Sequence, residues 1–273
     1  MLQHPQARCA GASPHLSWGE AQSMPEVIEE PKIDLHLSGT LAGSHAFAMT
    51  TVADDVMDAA RWAQTGPDLS VVVGDPGIGK TEALRRYTLD APNAWIATMS
   101  AEGEKPLAAL EEICGVLGVT PAGSPSAVRR IIIRRVRDTG GCILIDEAQH
   151  LSTEALDTLR TIHDDAGIGL VLCGNARLWE RVCLLSQLRS RVGRRVTLGK
   201  PGRQDVGVLA SALGVEGRGE IDFLYTISQH PGGLRCVVKT VRLAVAYAGG
   251  DASLITKQHL GVAWANLSMG DVS

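Results

Sequence analysis

The sequence predicts an α/β fold, a parallel sheet with helices on both faces, followed by a small all-helical region. Three observations carry that prediction. Short apolar runs of strand length alternate with longer segments of helical periodicity, the pattern of a parallel sheet covered on both sides. The run Leu69 to Val73 leads directly into Gly74-Asp75-Pro76-Gly77-Ile78-Gly79-Lys80-Thr81, which satisfies G-x-x-x-x-G-K-[ST] at every fixed position. A further run, Cys142 to Ile145, closes on two acids, Asp146 and Glu147.

Composition bounds the remaining possibilities. The 273 residues are 45% hydrophobic and only 4% aromatic, enough for a sizeable, mostly aliphatic core. No apolar run approaches the roughly 18 residues needed to span a bilayer, and the chain does not open on a basic segment followed by an apolar one. The expectation is a soluble, cytoplasmic protein with no membrane partner. Six cysteines (Cys9, Cys114, Cys142, Cys173, Cys183, Cys236) are scattered without a C-x-x-C pair, and read as reduced core thiols, not metal ligands. The net charge of −4 is unevenly placed: residues 1–60 hold eight acids against Arg8 and Lys32, which leaves 24 basic and 22 acidic residues beyond them. Local basic clusters therefore carry more information than the total.

Residues 1–48, rich in Pro, Gly, Ser and His, read as an irregular tail. Thr51 to Ala63 has helical spacing. The glycines of 74–81 let the backbone turn so that N–H groups and the start of the next helix, Glu82 to Thr88, face phosphate oxygens. Lys80 would reach the β- and γ-phosphates of ATP, and the Thr81 hydroxyl would hold Mg²⁺. Ala94 to Met99 is the second strand and Pro106 to Leu117 an amphipathic helix. Ser126 is placed as N-cap of a helix Ala127 to Asp138, with Val128, Ile131, Ile132 and Val136 on one side. Its other side carries Arg129, Arg130, Arg134 and Arg137, with Arg135 beside them: either a solvated face or a surface for nucleic-acid phosphates.

The strand ending in Asp146-Glu147 supplies what a phosphate loop lacks. Asp146 would hold the Mg²⁺ shell and Glu147 would orient and activate the attacking water. Leu151 to Asp165 is helical, and Ile168 to Cys173 is a strand ending in Gly174-Asn175. In a parallel sheet these strand ends meet at one edge. Asn175 either positions water or senses the γ-phosphate, or caps a helix. A short helix, Arg177 to Leu185, precedes an arginine-bearing segment with Arg189, Arg191, Arg194 and Arg195, and a last strand from Arg195 to Leu198. After Lys200-Pro201-Gly202 four helical segments follow: Arg203 to Leu213, Glu220 to Gln229, Gly233 to Ala248 and Thr256 to Ala265. In the third, Arg235, Lys239 and Arg242 share one face at i, i+4, i+7; that face is either solvated or, at Arg235, turned toward the nucleotide. The predicted organisation is a tail over 1–48, an α/β nucleotide-binding core over 49–200 and a helical lid over 201–273.

In this order the motifs resemble the AAA+ ATPases. More narrowly, Asp146 to Leu151, Gly169 to Asn175 and Gln187 to Arg195 resemble the DNA transposition protein B family of phage Mu. The resemblance implies a P-loop AAA+ core that hydrolyses ATP with Mg²⁺, assembles as a ring or helical filament on DNA without sequence preference, and recruits or stimulates a transposase. It makes Lys80 and Thr81 the Walker A pair and Asp146 and Glu147 the Walker B pair. Asn175 becomes sensor 1, Arg235 sensor 2, and Arg191 the arginine finger, with Arg189 as alternative. The phage Mu protein carries an additional N-terminal helix-turn-helix domain for which residues 1–48 are too short. DNA binding then falls to the core, first through Arg129 to Arg137 and second through Lys239 and Arg242. Other AAA+ roles remain open at this point: helicase loader, replication initiator, secretion-type ATPase, or a slowly hydrolysing nucleotide-switched adaptor.

Overall fold

A computed structural model describes residues 47–269; the predicted tail lies outside the described residues except for its last two positions. Five parallel strands, β1 (Leu69–Val73), β2 (Ala94–Thr98), β3 (Cys142–Asp146), β4 (Gly169–Gly174) and β5 (Val192–Thr197), stand in the order β2-β3-β4-β1-β5. The phosphate loop thus follows a strand flanked on both sides. Successive side chains of a strand point to opposite faces, and each face here has its own core. Val71, Val73, Ile143, Ile145, Leu170 and Leu172 pack on one side with α3 (Pro106–Leu117), α4 (Pro125–Val136) and α5 (Thr153–Ala166). Val72, Leu144, Val171 and Cys173 pack on the other with α1 (Thr51–Thr65) and α2 (Lys80–Asp90). Both faces being dry explains why these strands read as unbroken apolar runs.

Local chemistry sets the helix ends. The Thr50 and Ser152 hydroxyls accept from the N–H of Ala53 and Ala155, capping α1 and α5. Pro106 and Pro125 open α3 and α4, where proline's missing N–H costs nothing. This corrects the start of α4: Ser124 is its N-cap, and Ser126 lies inside the first turn. In the same helix Ile133, not Ile131, completes the buried stripe.

The largest departure from expectation is β5, which begins at Val192, three residues before the predicted Arg195. It is an edge strand, so alternate residues stay exposed and arginines are tolerated, which hides it from a search for apolar runs. Gly193 sits at a register shift against β1, where a Cβ would lie 1.9 Å from Asp68 Oδ2. Arg195 stacks over Trp179 of α6 (Ala176–Leu184), 4.1 Å from the ring centre. A five-residue helix α7 (Ser186–Ser190) separates α6 from β5.

Beyond β5, α8 (Arg203–Ala212), α9 (Arg218–Ser228), α10 (Gly233–Tyr247) and α11 (Lys257–Met269) surround a third apolar cluster that includes Val206, Leu224, Val237, Val241 and Leu260. The buried Asp205 carboxylate links α8 to α1, accepting from the N–H of Gly202 (2.8 Å), the N–H of Thr51 (2.6 Å) and the Thr51 hydroxyl (3.0 Å). Among the described residues Cys114, Cys142 and Cys173 are buried thiols, whereas Cys183 is exposed, contrary to the core placement expected for it; Cys9 lies outside the described residues. Burial pushes the Cys142 and Cys173 thiols far above their ordinary range, the latter also through the nearby Asp146 carboxylate.

Candidate functional site

The site forms where the carboxyl ends of β1, β3 and β4 meet the first turn of α10. Gly74 leaves β1 with its N–H bonded to Gly174 O at 3.1 Å, so the phosphate loop begins in register with the end of β4. Gly77 and Gly79 adopt φ of 83° and 106°, a region that side chains disfavour. Ile78 between them is buried and anchors the loop to the core. Lys80 opens α2; its buried side chain donates from Nζ to Gly74 O and Asp75 O, both at 2.8 Å. Thr81 follows, and its hydroxyl donates to Asp146 Oδ2 at 2.7 Å. The two residues assigned to Mg²⁺ from the sequence are therefore in direct contact.

Asp146 is 1% exposed and also accepts from the Glu147 N–H at 2.9 Å. Glu147 itself has φ 53°, a left-handed conformation rare for a residue with a side chain. The chain turns sharply there out of β3 into the single 3-10 turn Ala148–His150. Gln149 in that turn donates from Nε2 to Glu147 Oε2 and accepts from the Asn175 N–H at 3.2 Å. Sequence reading passed over Gln149; its signal was position alone, two residues beyond Glu147. The Asn175 side chain caps α6, its Oδ1 accepting from the Arg177 N–H at 3.0 Å. Of the two roles open for Asn175, the geometry displays the helix cap.

A cleft of about 820 Å³ opens above these groups. Gly77, Gly79, Lys80, Thr81 and Glu147 line its floor, while Leu209, Leu213, Leu234 and Val238 give it an apolar wall on the lid side. The lid helix meets the loop backbone to backbone: Arg235 N–H donates to Gly77 O at 3.0 Å. The exposed side chains of Arg235, Lys239 and Arg242 line the same cleft. Lys239 and Arg242, expected as second candidates for DNA, thus face this cleft. Arg85 adds a further cation to the rim.

The remaining predicted residues lie elsewhere. Arg191, at the end of α7, donates from Nε to Asp164 Oδ1 on α5 at 2.9 Å, and Arg160 holds the other oxygen at 2.7 Å. Arg189 is exposed beside it. Desolvation raises the Asp164 carboxyl, but the hydrogen bonds and charges of Arg191 and Arg160 together hold it below its ordinary value. On α4, Arg130, Arg134, Arg135 and Arg137 are exposed and Arg129 is half-buried. Arg135 lies over the Trp95 ring at 5.6 Å and Arg137 donates to Asp165 O at 2.9 Å. Among the described residues none of these five arginines forms an ion pair.

Comparison with known proteins places the chain in a family. Residues 63–182 fit the model of an AAA domain, and residues 190–267 that of the C-terminal part of the Mu B transposition protein. The ATP-dependent target DNA activator B of Escherichia phage Mu is 30% identical over 258 residues, 92% of this chain and 83% of that protein. The chain belongs to the Mu B transposition protein family. The Mu-like prophage FluMu DNA transposition protein B of Haemophilus influenzae is 32% identical over 204 residues, 71% of each chain. In fold, this Mu B family member resembles the Aeropyrum pernix ORC1 protein solved in complex with DNA (TM-score 0.62, 17% identity, 83% of this chain and 68% of that one). It also resembles a Walker-type ATPase of Pyrococcus abyssi (TM-score 0.56, 16% identity, 81% and 73%). The fold is therefore AAA+ and the protein is an ATPase. Among the described residues no helix is long and apolar enough to cross a membrane.

Proposed function

We propose that this Mu B family ATPase assembles on target DNA in its ATP-bound form, binds that DNA without sequence preference and presents it to a transposase in the cytoplasm. Support comes from the name borne by the phage Mu relative, a target DNA activator, and from the arginine face of α4. The observation that carries the reading is that face: exposed arginines with no carboxylate partner among the described residues are available to phosphates. A few phosphate contacts per subunit, multiplied along an oligomer, bind DNA firmly with no base readout.

The chemistry assigned to the cleft follows from its donors. Thr81 and Asp146 offer hard oxygen ligands in contact with each other, a set that suits Mg²⁺. Bound magnesium supplies charge neutralisation at the phosphates. Loop N–H groups, Lys80 and Arg235 hold the phosphate chain, and Glu147 accepts the proton of the attacking water. Arg191 of a neighbouring subunit stabilises the charge that develops on the transferred group, which couples hydrolysis to assembly.

Binding of random-sequence duplex, titrated with salt in ATP and in ADP, tests this. Tight binding in ATP at low salt is expected, with log K falling linearly in log [salt]. R130A/R134A should lower that slope by about one per lost phosphate contact. Absence of ATP-dependent binding at low salt sinks the proposal; an unchanged slope in R130A/R134A moves the contact surface away from α4.

A further inference from the structure

We infer that Gln149 is a positioning residue for hydrolysis, its side-chain amide holding the Glu147 carboxylate in register with the end of β4. The inference rests on the proposed role of Glu147 as the group that accepts the water proton. Glu147 leaves β3 in a left-handed conformation, so the strand pleat does not direct its side chain and a lateral support must. Gln149 is that support. It is 8% exposed, and both ends of its amide are engaged: Nε2 with Glu147 Oε2, Oε1 with the Asn175 N–H.

The orientation of the amide is decided by its partners. A backbone N–H only donates, so the carbonyl oxygen must face Asn175, and the amino group is thereby aimed at the carboxylate. With one carboxylate oxygen fixed by Gln149, the other is left to take the proton. The sequence makes room for this arrangement at Gly174, where a Cβ would stand 2.5 Å from Gln149 Oε1. Gly174 O in turn accepts from the Gly74 N–H. A continuous set of hydrogen bonds therefore joins the first residue of the phosphate loop, the end of β4, Gln149 and Glu147, and it passes through the Asn175 backbone while the Asn175 side chain caps α6.

The test uses the full chain with ATP, magnesium and DNA. Q149M removes both hydrogen bonds at similar volume; Q149E keeps the acceptor toward Asn175 and sets a second carboxylate against Glu147. Both should lower kcat roughly 10- to 100-fold, the range typical of a misplaced catalytic group, with KM and the Kd of a fluorescent ATP analogue within about twofold. Tm should stay within about 3 °C. In an E147Q background Q149M should lower the residual rate no further, because the group it positions is gone. Unchanged kcat in Q149M and Q149E overturns the inference, and so does a joint fall of kcat, Tm and nucleotide affinity, the signature of a merely structural amide. Hydrolysis at the wild-type rate by E147Q would overturn the role of Glu147 and this inference with it. Loss of hydrolysis in E147Q beside full activity in Q149M overturns this inference alone.

Discussion

Gly77 occupies a position the phosphate-loop pattern leaves unspecified, yet the structure gives it two independent reasons to be glycine. Its φ of 83° disfavours any side chain, and a Cβ there would stand 2.1 Å from Gly232 O. Gly232 and Gly233 also have positive φ, 98° and 51°, so loop and lid meet through bare backbone, sealed by the Arg235 N–H to Gly77 O hydrogen bond. Substitution by alanine forces either strain of about 1–3 kcal/mol into the loop or the lid away from it. G77A should therefore raise the Kd for ATP roughly tenfold or more, since 1.4 kcal/mol is a factor of ten. Calorimetric titration of the variant with an ATP analogue decides this: affinity equal to wild type would mean that lid and loop do not act as one site.

The contact between α1 and α8 shows what was legible in the sequence at the level of elements and what was not. Both helices were readable from spacing, and so were β1, β3 and β4, because sheet strands with two dry faces must be apolar throughout, while β2, at the other edge and only half-buried, is still mostly apolar. The edge strand β5 was cut short by its arginines, and the side-chain bridges Asp205 to Thr51 and Gln149 to Glu147 left no periodic trace. Contacts across 154 positions depend on how helices are brought together, which a one-dimensional pattern does not encode. The phosphate loop and the Asp146-Glu147 pair were legible because backbone geometry and local order alone define them. Asp205 is 3% exposed and takes three donors, two of them from Thr51, the first residue of α1. D205A removes the charged acceptor that α1 and the start of α8 share and should cost about 2–3 kcal/mol, the worth of hydrogen bonds to a charged group, a loss measurable by urea unfolding. If it also weakens ATP binding, the bridge holds the lid in its nucleotide-accepting place; stability unchanged within about 0.5 kcal/mol would mean water replaces the carboxylate.

At the scale of the whole molecule, the proposed assembly turns on Arg191, which pairs with α5 and does not line the cleft of its own chain. It pairs with Asp164, whose carboxyl sits below its ordinary value because the hydrogen bonds and charges of Arg191 and Arg160 outweigh desolvation together. A depressed carboxyl stabilises the fold above the usual aspartate range, near pH 3.9, and that contribution disappears as pH falls through the lower native value. Departure of Arg191 to a neighbouring cleft should thus raise the Asp164 titration point on assembly, a change that carbon NMR of the carboxyl reads directly. In R191A, hydrolysis by the assembled protein should fall by about 10³-fold or more, the usual worth of an arginine finger, with ATP binding by the single subunit retained. Complementation separates action between subunits from action within one. A subunit with R191A keeps an intact Glu147, and a subunit with E147Q keeps an intact Arg191, so a mixed interface places both functional groups at one cleft. Mixing two inactive proteins should restore hydrolysis to a fraction set by the number of such interfaces. If the mixture stays as inactive as its parts while DNA binding persists, Arg191 does not complete a neighbour's site, and Arg189 becomes the residue to test by the same pairing.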